Sequence, residues 1–270
     1  LGRLEASPGV QLFRRVGRGL EITEMGRQVS SYAENIFSLG SELLDLVQAQ
    51  GGKRMMPFRV GIADSVPKLL AYRVVEPVLH GGAGAMRLIC REGQLSALLA
   101  EMAVHRLELV IADRPMPTQL NVRGFSRLLG ESDLTVFGTA DLLRSRKAKF
   151  PQSLDDAPFL LPGPDVAIRH GLTRWFETQR IHPHVVGEFD DSALLQSFGQ
   201  AGAGLFVAPT SIADSVIKQL GVKALGKIET VKDHLYATTT ERRLTHPAIV
   251  AVIDRSQEVF DAPPKPPRGR

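Results

Sequence analysis

Carboxylates stand at the ends of three apolar runs. Asp64 follows FRVGIA, Asp113 follows LELVIA, and Asp190-Asp191 follow VGEF. In open α/β sheets the carboxyl ends of the strands face the ligand crevice, so these acids are expected to converge. Hard cations take several oxygen ligands. Crowded carboxylates repel one another unless a cation or a proton sits among them. Asp64, Asp113 and Asp190 therefore form a candidate cation or proton site. Ser65 is expected at a helix start, where backbone N–H groups favour an anion, which keeps a small organic acid open as the ligand. Asp191 and Thr210, the latter closing LFVAPT, complete the candidate effector set. A plainer role competes throughout: Asp64 and Asp191 suit helix N-caps, and Asp113 has Arg114 or Lys68 to pair with.

Other constellations carry less chemistry. His182-Pro183-His184 reads as surface rather than as a metal site. Gly81-Gly82-Ala83-Gly84 follows a helix pattern instead of joining a strand to a helix, so it is no phosphate loop. The same objection holds for Gly199, Gly202 and Gly204. No Ser/His/Asp set sits in an elbow motif, so neither an enzyme nor a cofactor is expected. Cys90, the single cysteine, rules out an internal disulfide. It lies in the apolar run MRLIC and is expected to be a buried structural thiol. Trp175 and Phe176 read as helix core.

The chain carries 33 Lys and Arg against 29 Asp and Glu, so basic charge is informative only where it clusters. Arg3, Arg14, Arg15 and Arg18 cluster in the first 23 residues, in and around a short segment, QLFRRVGRGLEI, that reads as a basic turn. Arginines there would sit against nucleic-acid phosphates, which position a protein and carry little sequence information. A second cluster, Lys265, Arg268 and Arg270 among four prolines, reads as a disordered tail over 261–270. There is no apolar run of about 18 residues and no leader pattern, so a cytoplasmic protein without a membrane span is expected.

These residues need elements to hold them. Met25, Val29, Tyr32, Ile36, Leu39, Leu43 and Leu46 recur at alternating steps of four and three, a heptad seam. Thr23 is a good N-cap and Gly51-Gly52 a stop. One narrow apolar stripe on so long a helix calls for a second helix, so this element is expected to dimerise. A linker over 51–57 follows. The chain then alternates: strands at 58–63, 86–91 and 107–113, with helices at 65–80 and 94–104 between them, predict a parallel sheet. A second unit has strands at 134–139, 158–161, 185–189 and 205–208 with helices at 166–179 and 192–201. A helix at 210–220, strands at 222–228 and 235–240, and a helix at 247–260 close the pattern. Two α/β lobes, joined by crossing segments near 115–125 and 209–222, would enclose a cleft.

Leu12-Phe13-Arg14-Arg15, then Gly17-Arg18-Gly19-Leu20, then Thr23-Glu24-Met25-Gly26 resemble the wing and linker-helix start of LysR-type transcriptional regulators. Leu4-Glu5 resemble the end of their recognition helix. VGIADSVPK (60–68), LELVIADRP (107–115), LLPGP (160–164), VGEFDDSALLQSFG (186–199) and LFVAPT (205–210) resemble a branch of that family that activates sodium/proton antiporter genes. The resemblance implies a divided chain. Residues 1–23 would be an incomplete winged helix-turn-helix, its front end absent. Residues 24–50 would be the dimerisation helix, 51–57 a hinge, 58–120 with 215–260 one effector lobe, and 121–214 the other. It also implies promoter DNA, RNA polymerase and further copies of the chain, as a dimer or tetramer, as partners. The effector would be sodium, a proton or a small molecule in a cleft like that of periplasmic binding proteins. The rival from another class is a two-lobed solute-binding protein for a small anion.

Overall fold

The computed structural model describes residues 10–17, 19–49, 56–80, 86–119, 124–144, 149–241 and 246–261. It opens on a hairpin of β1 (Phe13–Val16) and β2 (Gly19–Ile22), with Arg14 opposite Glu21. Helix α1 (Glu24–Ala49) follows at once. Thr23 caps it: its Oγ1 accepts the Gly26 N–H at 2.9 Å and donates to the Gln11 carbonyl at 2.8 Å. That pair of bonds fixes the hairpin to the helix start. Gly26 has to be glycine, because a Cβ there would overlap the Leu12 carbonyl oxygen.

A six-stranded sheet runs through both lobes in the order β4-β3-β5-β10-β6-β9. Strands β3 (Met56–Ala63), β4 (Met86–Gly93) and β5 (Leu109–Ala112) pair in parallel, as the alternating pattern predicts. Helices α2 (Lys68–Val75), α3 (Pro77–His80) and α4 (Leu95–Ala103) connect and cover them. The helix expected over 65–80 is split because Pro77 has no N–H to continue the ladder. It also starts three residues later than expected, with Pro67 at the N-cap position.

The second lobe contains β7 (Pro158–Pro162), α6 (Ile168–Gln179), β8 (His184–Phe189), α7 (Ser192–Gln200) and β9 (Phe206–Pro209), after a short α5 (Ala140–Leu143). Its core packs Phe159, Phe176 and Trp175, the last two on α6 as read from the sequence. Helices α8 (Ala213–Leu220) and α9 (Pro247–Asp261) complete the chain. Among the described residues no helix is long and apolar enough to cross a membrane.

The lobes are joined differently from the expectation. Two long strands, β6 (Phe125–Gly138) and β10 (Lys223–Thr239), pair antiparallel along their whole length and carry the chain between lobes. The separate strands expected at 222–228 and 235–240 are one strand with an irregularity between Ile228 and Lys232. The intervening residues look too polar for a strand, but Val231, Asp233, Leu235 and Ala237 alternate onto the buried face. Cys90 is a second correction: it is exposed. It lies on β4, the sheet's edge strand, whose residues Arg87 and Cys90–Glu92 face solvent. Partial desolvation and the nearby Glu92 push its thiol pKa up, which disfavours the reactive thiolate.

Candidate effector site in the interlobe cleft

Asp113 is the pivot of the site. It follows the wholly buried run Leu109–Ala112 of β5 and is only 6% exposed. Its Oδ2 accepts the backbone N–H of Ala167, in the other lobe, at 2.8 Å. Arg114 folds back on it, with Nε 3.2 Å from Oδ1. Asp64, Ser65 and Asp190 stand around it, as the strand-end argument expects. Asp190 packs so closely on Gly163 that a side chain at 163 would collide with its carboxylate.

The other two candidates do structural work. Asp191 caps α7, its Oδ1 accepting the Leu194 N–H at 2.6 Å, and its Oδ2 lies 3.6 Å from Lys68 Nζ. Thr210 shares a 2.8 Å hydrogen bond with the Thr135 hydroxyl. Neither lines the cleft cavities. Ser65 lines both, but the helix begins only at Lys68, so the N-terminus reading that favoured an organic acid loses its geometry.

Two adjacent cavities share Ser65, Asp113, Val166 and Asp190 as walls. The smaller, about 40 Å³, is lined also by Gln196 and Asp233. The larger, about 380 Å³, adds Asp64, Asp165 and Arg114 with an apolar wall that includes Leu95 and Leu99. Asp233 was not singled out from the sequence, although its place on the buried face of β10 beside Val231 and Leu235 was a usable signal. Burial and the charge of Asp113 push its carboxyl up to about 7, against a single opposing backbone hydrogen bond from His234. Two carboxylates sharing one low-dielectric pocket cannot both ionise cheaply.

Contacts across the cleft mouth tie the lobes together. Ser192 donates from its hydroxyl to the Val66 carbonyl at 3.0 Å and from its N–H to the Asp64 carbonyl at 3.2 Å. With Asp113–Ala167 and Lys68–Asp191 they form a latch beside the smaller cavity. Among the described residues no three His, Cys, Asp or Glu side chains are grouped to hold a metal ion. Asp64, Asp113 and Asp190 therefore line one cleft without forming a metal-binding cluster.

The LysR substrate binding domain model matches residues 56–261. The chain belongs to the LysR family. It is 31% identical over 253 residues to the transcriptional activator protein NhaR of Escherichia coli (strain K12), covering 94% of this chain and 82% of that protein. It is 25% identical over 203 residues to the HTH-type transcriptional regulator CbbR of Rhodospirillum rubrum, covering 75% and 66% of the two chains. Among solved structures, CbnR complexed with its target DNA matches with TM-score 0.66 at 15% identity, over 96% of this chain and 87% of that one. A full-length OxyR variant from Pseudomonas aeruginosa matches with TM-score 0.63 at 19% identity, over 100% and 87%. The LysR fold accounts for the two lobes, the crossing strands and the preceding helix. This LysR-type protein is a transcriptional regulator and not an enzyme, which excludes the solute-binding rival.

Of the features placed ahead of the cleft, Arg14 pairs with Glu21 at 2.7 Å on the hairpin surface, and Arg15 is exposed beside it. Arg3 and Arg18 lie outside the described residues, as does the tail over 262–270. On α1 of this regulator, Met25, Tyr32 and Ile36 are exposed and Val29 is half-buried. The side chains of Leu39, Leu43 and Leu46 are outside the described set.

Proposed function

We propose that this protein is a DNA-binding transcriptional activator that controls a sodium/proton antiporter gene and takes its signal in the interlobe cleft. The observation that carries the reading is 31% identity to the activator NhaR along nearly the whole chain. The β1–β2 hairpin serves as the wing, with Arg14, Arg15, Arg18 and Arg3 on DNA phosphates. The α1 stripe pairs with the same helix of a second copy: Tyr32 and Ile36 are 72% and 67% exposed in the single chain, and an apolar heptad stripe needs a partner. The assembly, a dimer or tetramer in the cytoplasm, recruits RNA polymerase when the cleft is occupied. A change in sodium or pH, or a small effector, supplies the signal, and the cleft lined by Asp64, Ser65, Asp113 and Asp190 receives it.

Footprinting on DNA upstream of an antiporter gene from the source genome tests this. Protection there, altered by effector conditions such as a change from potassium to sodium or from pH 6 to pH 8, is the expected outcome. Protection of unrelated promoters alone would end the antiporter assignment.

A further inference from the structure

The cleft's charge and shape say more about its ligand than the family does. The two cavities together are lined by five carboxylates, Asp64, Asp113, Asp165, Asp190 and Asp233, against one guanidinium, Arg114. That guanidinium is already engaged with Asp113. Lys68 lines neither cavity; its Nζ sits on Glu92 at 3.0 Å and near Asp191. Arg169 lines neither cavity and is held by the Pro162 carbonyl and Glu188. An organic acid entering here would meet a surplus of like charge and no free cationic group. A bare metal ion would lack its shell, since no three acidic, His or Cys side chains are grouped to hold one among the described residues.

Gln196 supplies an independent pointer to a ligand. It lies on the buried face of α7, is 9% exposed, and lines the small chamber with Asp113 and Asp233. Its amide makes no hydrogen bond to the described residues. The residue lines the chamber, so a group entering there can complete its amide. Its carbonyl oxygen and the two buried carboxylates present acceptors to a chamber of about 40 Å³, room for a single small group. The adjoining cavity of about 380 Å³ is at the small end of ligand pockets and carries an apolar wall of Leu95, Leu99, Pro117 and Val166.

We infer that the cleft binds a small organic cation, with its ammonium head among Asp113, Asp233 and Gln196 and its aliphatic part along Leu95 and Leu99. The inference rests on the proposal that the cleft is the effector site, and names the class of effector. An ammonium donates three hydrogen bonds in separate directions, which suits dispersed single acceptors better than a metal ion is suited. The aliphatic part gains by leaving water against the leucines. Because the head touches Asp113, whose carboxylate holds Ala167 of the opposite lobe, occupancy bears directly on the latch between lobes.

The test is thermal unfolding of the full chain with 1,4-diaminobutane, spermidine or n-butylamine, each against sodium succinate and NaCl at matched ionic strength. At least one organic cation should raise the midpoint, and succinate and NaCl should not. Calorimetric titration with the responding cation should show binding weakened about tenfold by Gln196→Leu, the loss of one hydrogen bond. Asp113→Asn should weaken it at least as much, while Glu177→Gln on the outer face of α6 should leave it unchanged. A response to succinate, silence with all three cations, or equal binding to the Gln196→Leu variant would overturn the inference. A response to NaCl alone would overturn it too, yet leave the cleft as the effector site. Footprinting judges the regulatory role separately, since DNA protection without added amine does not depend on this ligand.

Discussion

Replacing Asp233 by Asn should make the protein more stable at pH 8 and leave it nearly unchanged near pH 4. In the folded protein this carboxyl keeps its proton up to about pH 7, where an ordinary aspartate loses it near 3.8. Folding therefore takes up a proton between those two values. The unfolded chain binds fewer protons there than the folded one, so stability falls as pH rises through the window and levels off above it. A carboxyl moved from 3.8 to about 7 corresponds to about 4 kcal/mol lost between the acidic and the neutral side. Asparagine has nearly the same shape, can still accept the His234 N–H, and has no charge to desolvate. At about 2–4 °C per kcal/mol for a domain of this size, the midpoint gain at pH 8 is of order 10 °C. The assay is thermal unfolding of both proteins from pH 4 to pH 8, reading the difference so that other titrating groups cancel. Parallel curves, or a variant less stable at pH 8, would refute the claim that burial and Asp113 hold this proton.

Four further outcomes follow from the same geometry. Asp113→Asn removes the charge that helps raise Asp233, so the midpoint of the wild-type pH transition should move to lower pH; an unmoved midpoint would separate the two residues. Asp191→Ala removes the α7 cap and should cost about 1 kcal/mol in denaturant unfolding; no loss would mean that the cap is dispensable. Tyr32→Asp with Ile36→Asp should lower the mass in light scattering, whereas an unchanged mass would refute pairing through the α1 stripe. Arg15→Ala should weaken binding to all DNA sequences alike and reduce the slope of log affinity against log salt by about one. A loss confined to one sequence would assign Arg15 to base reading instead.

Local pattern made most of the elements legible. The heptad positions from Met25, the Thr23 cap and the Gly51-Gly52 stop predict a helix over 24–50, and the helix spans Glu24–Ala49. The parallel β3–β4–β5 unit was readable because each strand is a short apolar run between helical periods. Failures came where local and tertiary signals disagree. Cys90 sits in an apolar run, yet its strand ends up at a sheet edge, and only the strand order decides that. Residues 229–234 look polar, yet they stay within β10, whose pairing with β6 resumes at Lys232 after the irregularity.

Relations between neighbours along the chain were enough to show that acids end the strands and that one long helix carries an unmatched apolar stripe, because periodicity and strand-end chemistry are local properties. They did not fix which acids meet. Asp191 and Thr210 satisfy local backbone and side-chain partners, whereas Asp233, on the other crossing strand, arrives beside Asp113 only because β10 pairs with β5. The burial of Asp233 beside Asp113, the place of Gln196 in the chamber wall and the surplus of negative charge in the cleft are sums over residues brought together from both lobes. No window of the sequence contains them.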